Sequence, residues 1–307
     1  MKKYLYVFNY PRLEEGICLM EMRTLFEKDI IEKEIFSNKN IDVSDSVYIN
    51  FKIEILHMDE KFENIVEKIK KEKIIMEEFK VEYYKIGNDE TEYAERIKKT
   101  RSIGLEVQGE PNMKNPKTIY GIVKVKDIWI LGIYKKNNFL WNSRVKKPMS
   151  YSNSLGVSLA KSVINLATCG DRNISIIDPC CGIGTILIEA CKMNVNIEGY
   201  EINKKIYENA KINLKFYNCN VEITNGDMHE IAKKYDSSIL DIPYGIFSHI
   251  TKEEQQSLIN KTREISKRLI LISFEDLDYM IEKAEFKIID RCEIPKGNFK
   301  RYIYTCM

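Results

Sequence analysis

Asp241-Ile242-Pro243-Tyr244 places a carboxylate, a proline-stiffened turn and an aromatic ring in four consecutive residues. This set suits an acceptor nitrogen whose lone pair is delocalised, as in the amino group of a base. Such a nitrogen attacks an electrophilic methyl only after it pyramidalises and sheds a proton. Asp241 can accept one of its N–H groups and the backbone carbonyl of Ile242 the other. Tyr244 can stack on a base turned out of its helix, as chemistry on a base requires. Alignment of donor, methyl and acceptor does the rest. The plainer alternative is a strand-end turn with a structural proline.

Three further loops carry compatible chemistry. Asp178-Pro179-Cys180-Cys181-Gly182-Ile183-Gly184-Thr185 joins an apolar run to a helix. Gly182 and Gly184 permit a tight turn and the close approach of a ligand, and the helix start at Thr185 offers free N–H groups. The third glycine of a dinucleotide fingerprint is missing, and the strand ends on an acid. Asp178 would repel a pyrophosphate and attract the ammonium of a methionine moiety. Glu201, about 20 residues further on, is placed to accept both hydroxyls of a ribose. Asp227 can accept from an adenine amino group while Met228 packs on the ring. Asp227 also reads as a plain helix N-cap, and the two roles are compatible. Cys180 and Cys181 read as small packing residues.

The elements expected to hold these loops alternate strand and helix after residue 155. Strands are expected at 174–177, 196–202, 221–225, 238–241 and 269–274, with helices at 155–167, 185–193, 204–217, 228–235, 252–267 and 277–284. A closing pair, 286–293 and 299–305, surrounds a turn at 295–298. Such alternation gives a doubly wound parallel sheet with an antiparallel C-terminal hairpin. Ligands then sit beyond the carboxyl ends of the strands, where all four loops fall. The first 135 residues read as an α+β domain, with strands at 3–8, 46–57, 79–86, 119–125 and 128–134 and helices at 14–26, 60–73 and 93–103. Residues 136–154 read as a basic linker around Trp141, with Lys135, Lys136, Arg144, Lys146 and Lys147 close by.

Composition narrows the class. Of 307 residues, 44% are hydrophobic and 31% charged, with a net charge of +2. That is enough for two cores but too balanced for nucleic-acid binding through a global field, so any RNA path rests on local clusters. The helix 93–103 and the linker are the candidates, with Trp141 and Tyr151 as possible stacking rings. The eight cysteines show no paired metal or redox spacing. His57, His229 and His249 lie far apart, so no metal is expected. The opening residues read as a strand rather than a leader, and no apolar run is long enough to span a membrane. A cytoplasmic protein is expected.

On the motifs at 178–185, 201, 227 and 241–244, the chain resembles the RNA methylases, a group of Rossmann-like class I methyltransferases. Within it, the likeness is to the THUMP-domain tRNA guanine-N2 methyltransferases. The resemblance implies that the loop from Asp178 to Thr185 holds S-adenosylmethionine, with Glu201 on the ribose and Asp227 at the adenine. It also implies that Asp241 to Tyr244 is the counterpart of a catalytic Asp-Pro-Pro-Tyr motif, with Ile242 replacing the first proline. Lys114-Asn115-Pro116-Lys117 resembles a late turn of the THUMP arrangement, which implies tRNA or another structured RNA as partner. Two other readings compete: methylation of adenine in DNA or of a glutamine amide, and a non-catalytic RNA-binding protein that keeps the fold.

Overall fold

The structure, a computed structural model, describes residues 2–150, 154–243, 250–297 and 299–307. Tyr151, Tyr244 and His249 lie outside the described residues. The chain divides into two compact units. The first comprises Met1–Asn9, Ile30–Ser44 and Tyr48–Asn138, and the second Tyr10–Asp29, Asp45–Val47 and Phe139–Met307.

The first unit is a mixed sheet with two helices. Its strands are β1 (Tyr4–Phe8), β2 (Glu34–Ser37), β3 (Ile49–Asp59), β4 (Phe79–Tyr83), β5 (Thr118–Val125) and β6 (Ile128–Lys136), in the order β2-β1-β3-β6-β5-β4. The pairings are antiparallel except β4 with β5. Alternation along β5 and β6 builds two apolar faces. Ile122, Trp129 and Leu131 pack with Phe62, Ile65 and Ile69, while Val123 and Ile130 join Leu5 and Phe51 on the other side. The helix carrying Phe62, Ile65 and Ile69 is α2 (Phe62–Glu72), whose apolar stripe recurs at helical spacing. The short edge strand β2 has no counterpart in the sequence reading, because four residues show too little alternation to register.

The second unit opens with α1 (Glu15–Phe26), which sequence had grouped with the first 135 residues. Its placement follows from long-range polar bonds. Glu21 is fully buried and accepts from Asn165 Nδ2 at 2.9 Å, and Arg23 forks onto Asp290 at 2.9 and 3.1 Å. The seven-stranded sheet comprises β7 (Ser175–Asp178), β8 (Asn196–Glu201), β9 (Glu222–Asn225), β10 (Tyr235–Asp241), β11 (Ser266–Ser273), β12 (Ile288–Lys296) and β13 (Phe299–Cys306). Their order is β12-β13-β11-β10-β7-β8-β9. β7 to β11 pair in parallel and β13 returns antiparallel between β11 and β12. This is the doubly wound arrangement with a closing hairpin expected from sequence. The helices are α4 (Val157–Thr168), α5 (Thr185–Lys192), α6 (Lys204–Phe216), α7 (Lys252–Ile265) and α8 (Asp278–Lys283), and α3 (Tyr93–Glu106) belongs to the first unit.

Two local expectations change. The helix expected over 228–235 is a single 3-10 turn, Met228–Glu230. Tyr235 already starts β10, paired with Ser266. The basic stretch expected as a linker is docked on the second unit. Arg144 donates from Nε and Nη2 to the two carboxylate oxygens of Glu189, both at 2.7 Å. Met149 N–H donates to Asn213 Oδ1 at 2.9 Å, and Tyr217 OH donates to the Lys146 carbonyl at 2.7 Å. Glu189 is buried, and a carboxylate so placed requires a partner. None of the described helices is long and apolar enough to cross a membrane.

Candidate functional site

Parallel strands β7, β8, β9 and β10 end on the same edge of the sheet at Asp178, Glu201, Asn225 and Asp241. The crossover between β7 and β10, where strand order reverses, is the place where open α/β sheets bind ligands.

Glu201 holds three of these loops together. Its Oε2 accepts the Gly182 N–H at 3.0 Å and its Oε1 the Asn203 N–H at 2.8 Å. Its backbone carbonyl accepts Asn225 Nδ2 at 2.8 Å and the Gly226 N–H at 3.3 Å. The Cys181 N–H donates to the Tyr200 carbonyl at 2.9 Å. Gly182 and Gly184 sit at φ +55° and +80°, a region that favours glycine, and a Cβ at Gly182 would meet nothing within 4 Å. The turn therefore leaves room for a ligand to reach its backbone.

Within this frame lie three buried oxygens without a hydrogen-bond partner among the described residues: Asp178 Oδ1, Thr185 Oγ1 and Asp241 Oδ1. Native interiors leave few such groups unsatisfied. Burial pushes the Asp178 carboxyl well above its ordinary range, with the charges of Asp241 and Glu201 adding to the effect and the Cys180 N–H opposing it. Burial likewise pushes Asp241 up to about 7, against the pull of Arg301 and Lys296. Glu201 is raised by burial and eased by its two backbone donors. A cluster of carboxylates with displaced protonation, at a strand switch point, marks a candidate site. It favours a cationic ligand.

The remaining expected residues fall as follows. Burial raises the thiols of Cys180 and Cys181 far above their ordinary value, so both stay neutral, as packing residues do. Met228 is buried, its sulfur 3.8 Å from Cys180 Sγ. Asp227 caps the turn that follows it, its Oδ1 accepting the His229 N–H at 2.9 Å. The Ile242 side chain is buried in the core, and its N–H donates to the Ile272 carbonyl at 3.0 Å, extending the β10–β11 pairing. Pro243 is half-buried.

Sequence reasoning missed Phe274, Lys296 and Arg301. The Arg301 guanidinium lies 4.9 Å and the Lys296 ammonium 5.6 Å from the centre of the Phe274 ring, and both cations act on Asp241. The only signal was the basic flanks of the 295–298 turn, which says nothing of where the hairpin lands. Of the RNA-facing candidates, Lys98, Arg101, Lys135 and Lys136 are exposed. Lys99 is engaged by the rings of Phe62 and Trp129, at 4.4 and 4.2 Å. Trp141 is half-buried with its indole N–H out of solvent, which removes it as an open stacking platform. A surface concavity of 730 Å³, lined by Asn194, Asn196, Glu198 and Glu222, sits at the amino ends of β8 and β9, opposite the carboxylate cluster.

A family model described as "RMKL-like, methyltransferase domain" matches residues 144–272. A tRNA (guanine(10)-N2)-dimethyltransferase of Methanothermobacter thermautotrophicus is 29% identical over 209 residues, covering 64% of this chain and 60% of that one. Its counterpart from Pyrococcus abyssi is 27% identical over 220 residues, covering 66% and 64%. A tRNA (guanine(6)-N2)-methyltransferase of Methanocaldococcus jannaschii is 24% identical over 245 residues, covering 63% and 64%. The chain thus spans 60–64% of the length of these relatives.

Proposed function

We propose that the chain is an S-adenosylmethionine-dependent methyltransferase acting on an exocyclic amino group, the N2 of guanine in tRNA. The observation that carries this reading is the Asp178–Asp241 pair at neighbouring strand ends, each with one carboxylate oxygen out of solvent and without a hydrogen-bond partner among the described residues. The residues fit the cofactor. Asp178 Oδ1 lacks a donor that an ammonium would supply. Each Glu201 oxygen accepts one backbone N–H and keeps a lone pair for a ribose hydroxyl. The turn at Gly182 admits close approach, and Asp227 stands at the end of the next loop for an adenine amine. Gly184, Thr185, Cys180 and Met228 belong to the same loops and would line the bound cofactor.

When bound, S-adenosylmethionine supplies an electrophilic methyl group on a sulfonium. Asp241 accepts one N–H of the guanine amine, and its carboxyl, held at about 7, is suited to take the proton that amine must lose. The Ile242 carbonyl accepts the second N–H. Pro243 stiffens the turn, and the expected stacking ring, Tyr244, lies outside the described residues. The first unit, an α+β THUMP-like body, contributes RNA contacts through exposed Lys98, Arg101, Lys135 and Lys136. Support for guanine N2 and tRNA comes from the relatives' shared activity.

The test is methyl transfer from labelled S-adenosylmethionine to an unmodified tRNA transcript, followed by nucleoside analysis. Label is expected in N2-methylated guanosine and is expected to vanish when inosine, which lacks the 2-amino group, replaces the target guanosine. Label in adenosine or in protein, or no transfer by the full chain, would overturn the reading.

A further inference from the structure

Asp227 does more than cap a turn. Two donors converge on its Oδ1: the His229 N–H at 2.9 Å and the His229 ring Nδ1 at 2.8 Å. The far side of the same ring is also held, with His229 Nε2 lying 2.9 Å from the hydroxyl of Ser257. Ser257 lies on α7, a helix fixed at its start by a capping box between Thr251 and Glu254 and by the ion pair of Lys252 with Glu275. A buried face of Leu258, Ile259 and Ile265 seats this helix in the core. The imidazole thus ties an acidic loop residue to a packed helix. Asp227 Oδ2 carries no bond from a described residue.

The order Asp227–His229–Ser257 matches that of a hydrolytic triad, but the surroundings do not. Ser257 sits inside a hydrogen-bonded helix, where neighbouring backbone N–H groups are committed and none is left to receive an oxyanion. Asp227 and His229 are also 45% and 41% exposed, far wetter than a nucleophile's base should be. A strut fits the geometry better than a nucleophile.

We infer that His229 is a positioning residue that locks the Asp227 carboxylate through Oδ1, with Ser257 as its anchor, so that Oδ2 is held as an acceptor selecting a purine with a 6-amino group. This rests on the reading of residues 178–227 as an adenosine-type cofactor site. A free carboxylate swings about its Cβ–Cγ bond and can leave the 6-position to accept the N1–H of a 6-oxo purine, which blunts its preference for a 6-amino group. A carboxylate pinned at one oxygen presents a fixed acceptor to the other edge. An amino N–H satisfies that acceptor, whereas a carbonyl oxygen opposes it and leaves both groups unpaired. The device therefore sets specificity more than it adds raw affinity.

The experiment measures binding of S-adenosylhomocysteine and of its 6-oxo (hypoxanthine) counterpart to the full chain, for wild type, His229→Ala, His229→Asn and Ser257→Ala. Wild type should prefer the 6-amino probe by about tenfold or more. His229→Ala loses the ring donor but keeps the backbone N–H on Oδ1, and should lower the ratio several-fold. His229→Asn keeps a donor near the Nδ1 position and should restore most of the preference. Ser257→Ala should fall in between. An unchanged ratio in His229→Ala, or an Asn variant no better than Ala, overturns the strut, and a wild-type ratio in Ser257→Ala overturns its anchor. Failures of the underlying reading are separable. Wild type that binds neither probe overturns the cofactor assignment and the strut with it. An undiminished preference in Asp227→Asn overturns the role of Asp227 itself. Since His229 is well exposed, these variants should melt with the wild type, and that comparison serves as the folding control.

Discussion

A carboxylate accepts an amine N–H well only when it is ionised, so the protonation of Asp241 should govern turnover. Burial holds this carboxyl at about 7 instead of the ordinary 3.8. The folded chain therefore binds the proton more tightly than the unfolded chain does. The stability that this proton lends is complete below the ordinary carboxylate range, declines as pH rises and is lost above about 7. Two outcomes follow for Asp241→Asn. Its melting temperature should gain on that of the wild type between pH 5 and pH 8, because the amide has no charge to bury. Methyl transfer by the wild type should rise with pH toward about 7, whereas the variant should lose about 10²–10⁴-fold of the rate at every pH. Melting curves and single-turnover rates at several pH values check both. A wild-type rate that is flat from pH 5 to pH 8 would remove Asp241 from the chemistry.

The segment from Leu140 to Met149 shows how an element can hide its purpose in its composition. Its lysines and arginine suggest an RNA-facing linker, yet Arg144 is paired with Glu189, whose side chain is 1% exposed. Removing one member of a buried pair strands the other's charge and typically costs about 3–5 kcal/mol. Arg144→Ala should therefore lower unfolding free energy by about that much, while the double change Arg144→Met with Glu189→Leu should recover most of it. Chemical denaturation of the three variants decides the matter. Because Glu189 lies on α5, the helix that opens at Thr185, the single variant should also loosen the Gly182–Gly184 turn and weaken cofactor binding. Equal stability of Arg144→Ala and wild type would show the pair to be incidental.

At the scale of the whole molecule, the two units are interleaved in sequence. α1 lies between strands of the first unit in the chain and belongs to the second. It brings Glu21 to Asn165 and Arg23 to Asp290. A fragment of residues 139–307 would contain every candidate site residue and still lack this helix, baring the buried polar face of α4. We expect such a fragment to melt more than ten degrees below the full chain or to aggregate, as large exposed apolar and unpaired polar surfaces do. Differential scanning calorimetry of the fragment against the full chain is the measure. A fragment that matches the full chain would show α1 to be dispensable.

The division between what was legible and what was not follows the range of the interactions. Residues 178–185, 201, 227 and 241 could be placed on one edge from sequence, because strand–helix alternation and turn chemistry are local and a parallel sheet puts all such loops at its carboxyl end. The closing hairpin was legible for the same reason. Three features were not: the β12–β13 hairpin landing beside β11 so that Lys296 of β12 and Arg301 of β13 reach Asp241, α1 joining the second unit, and His229 reaching Ser257 across 28 residues. Each depends on which distant surfaces pack together and which buried charges find partners. Only the assembled core decides such matters, since no run of neighbouring residues encodes them.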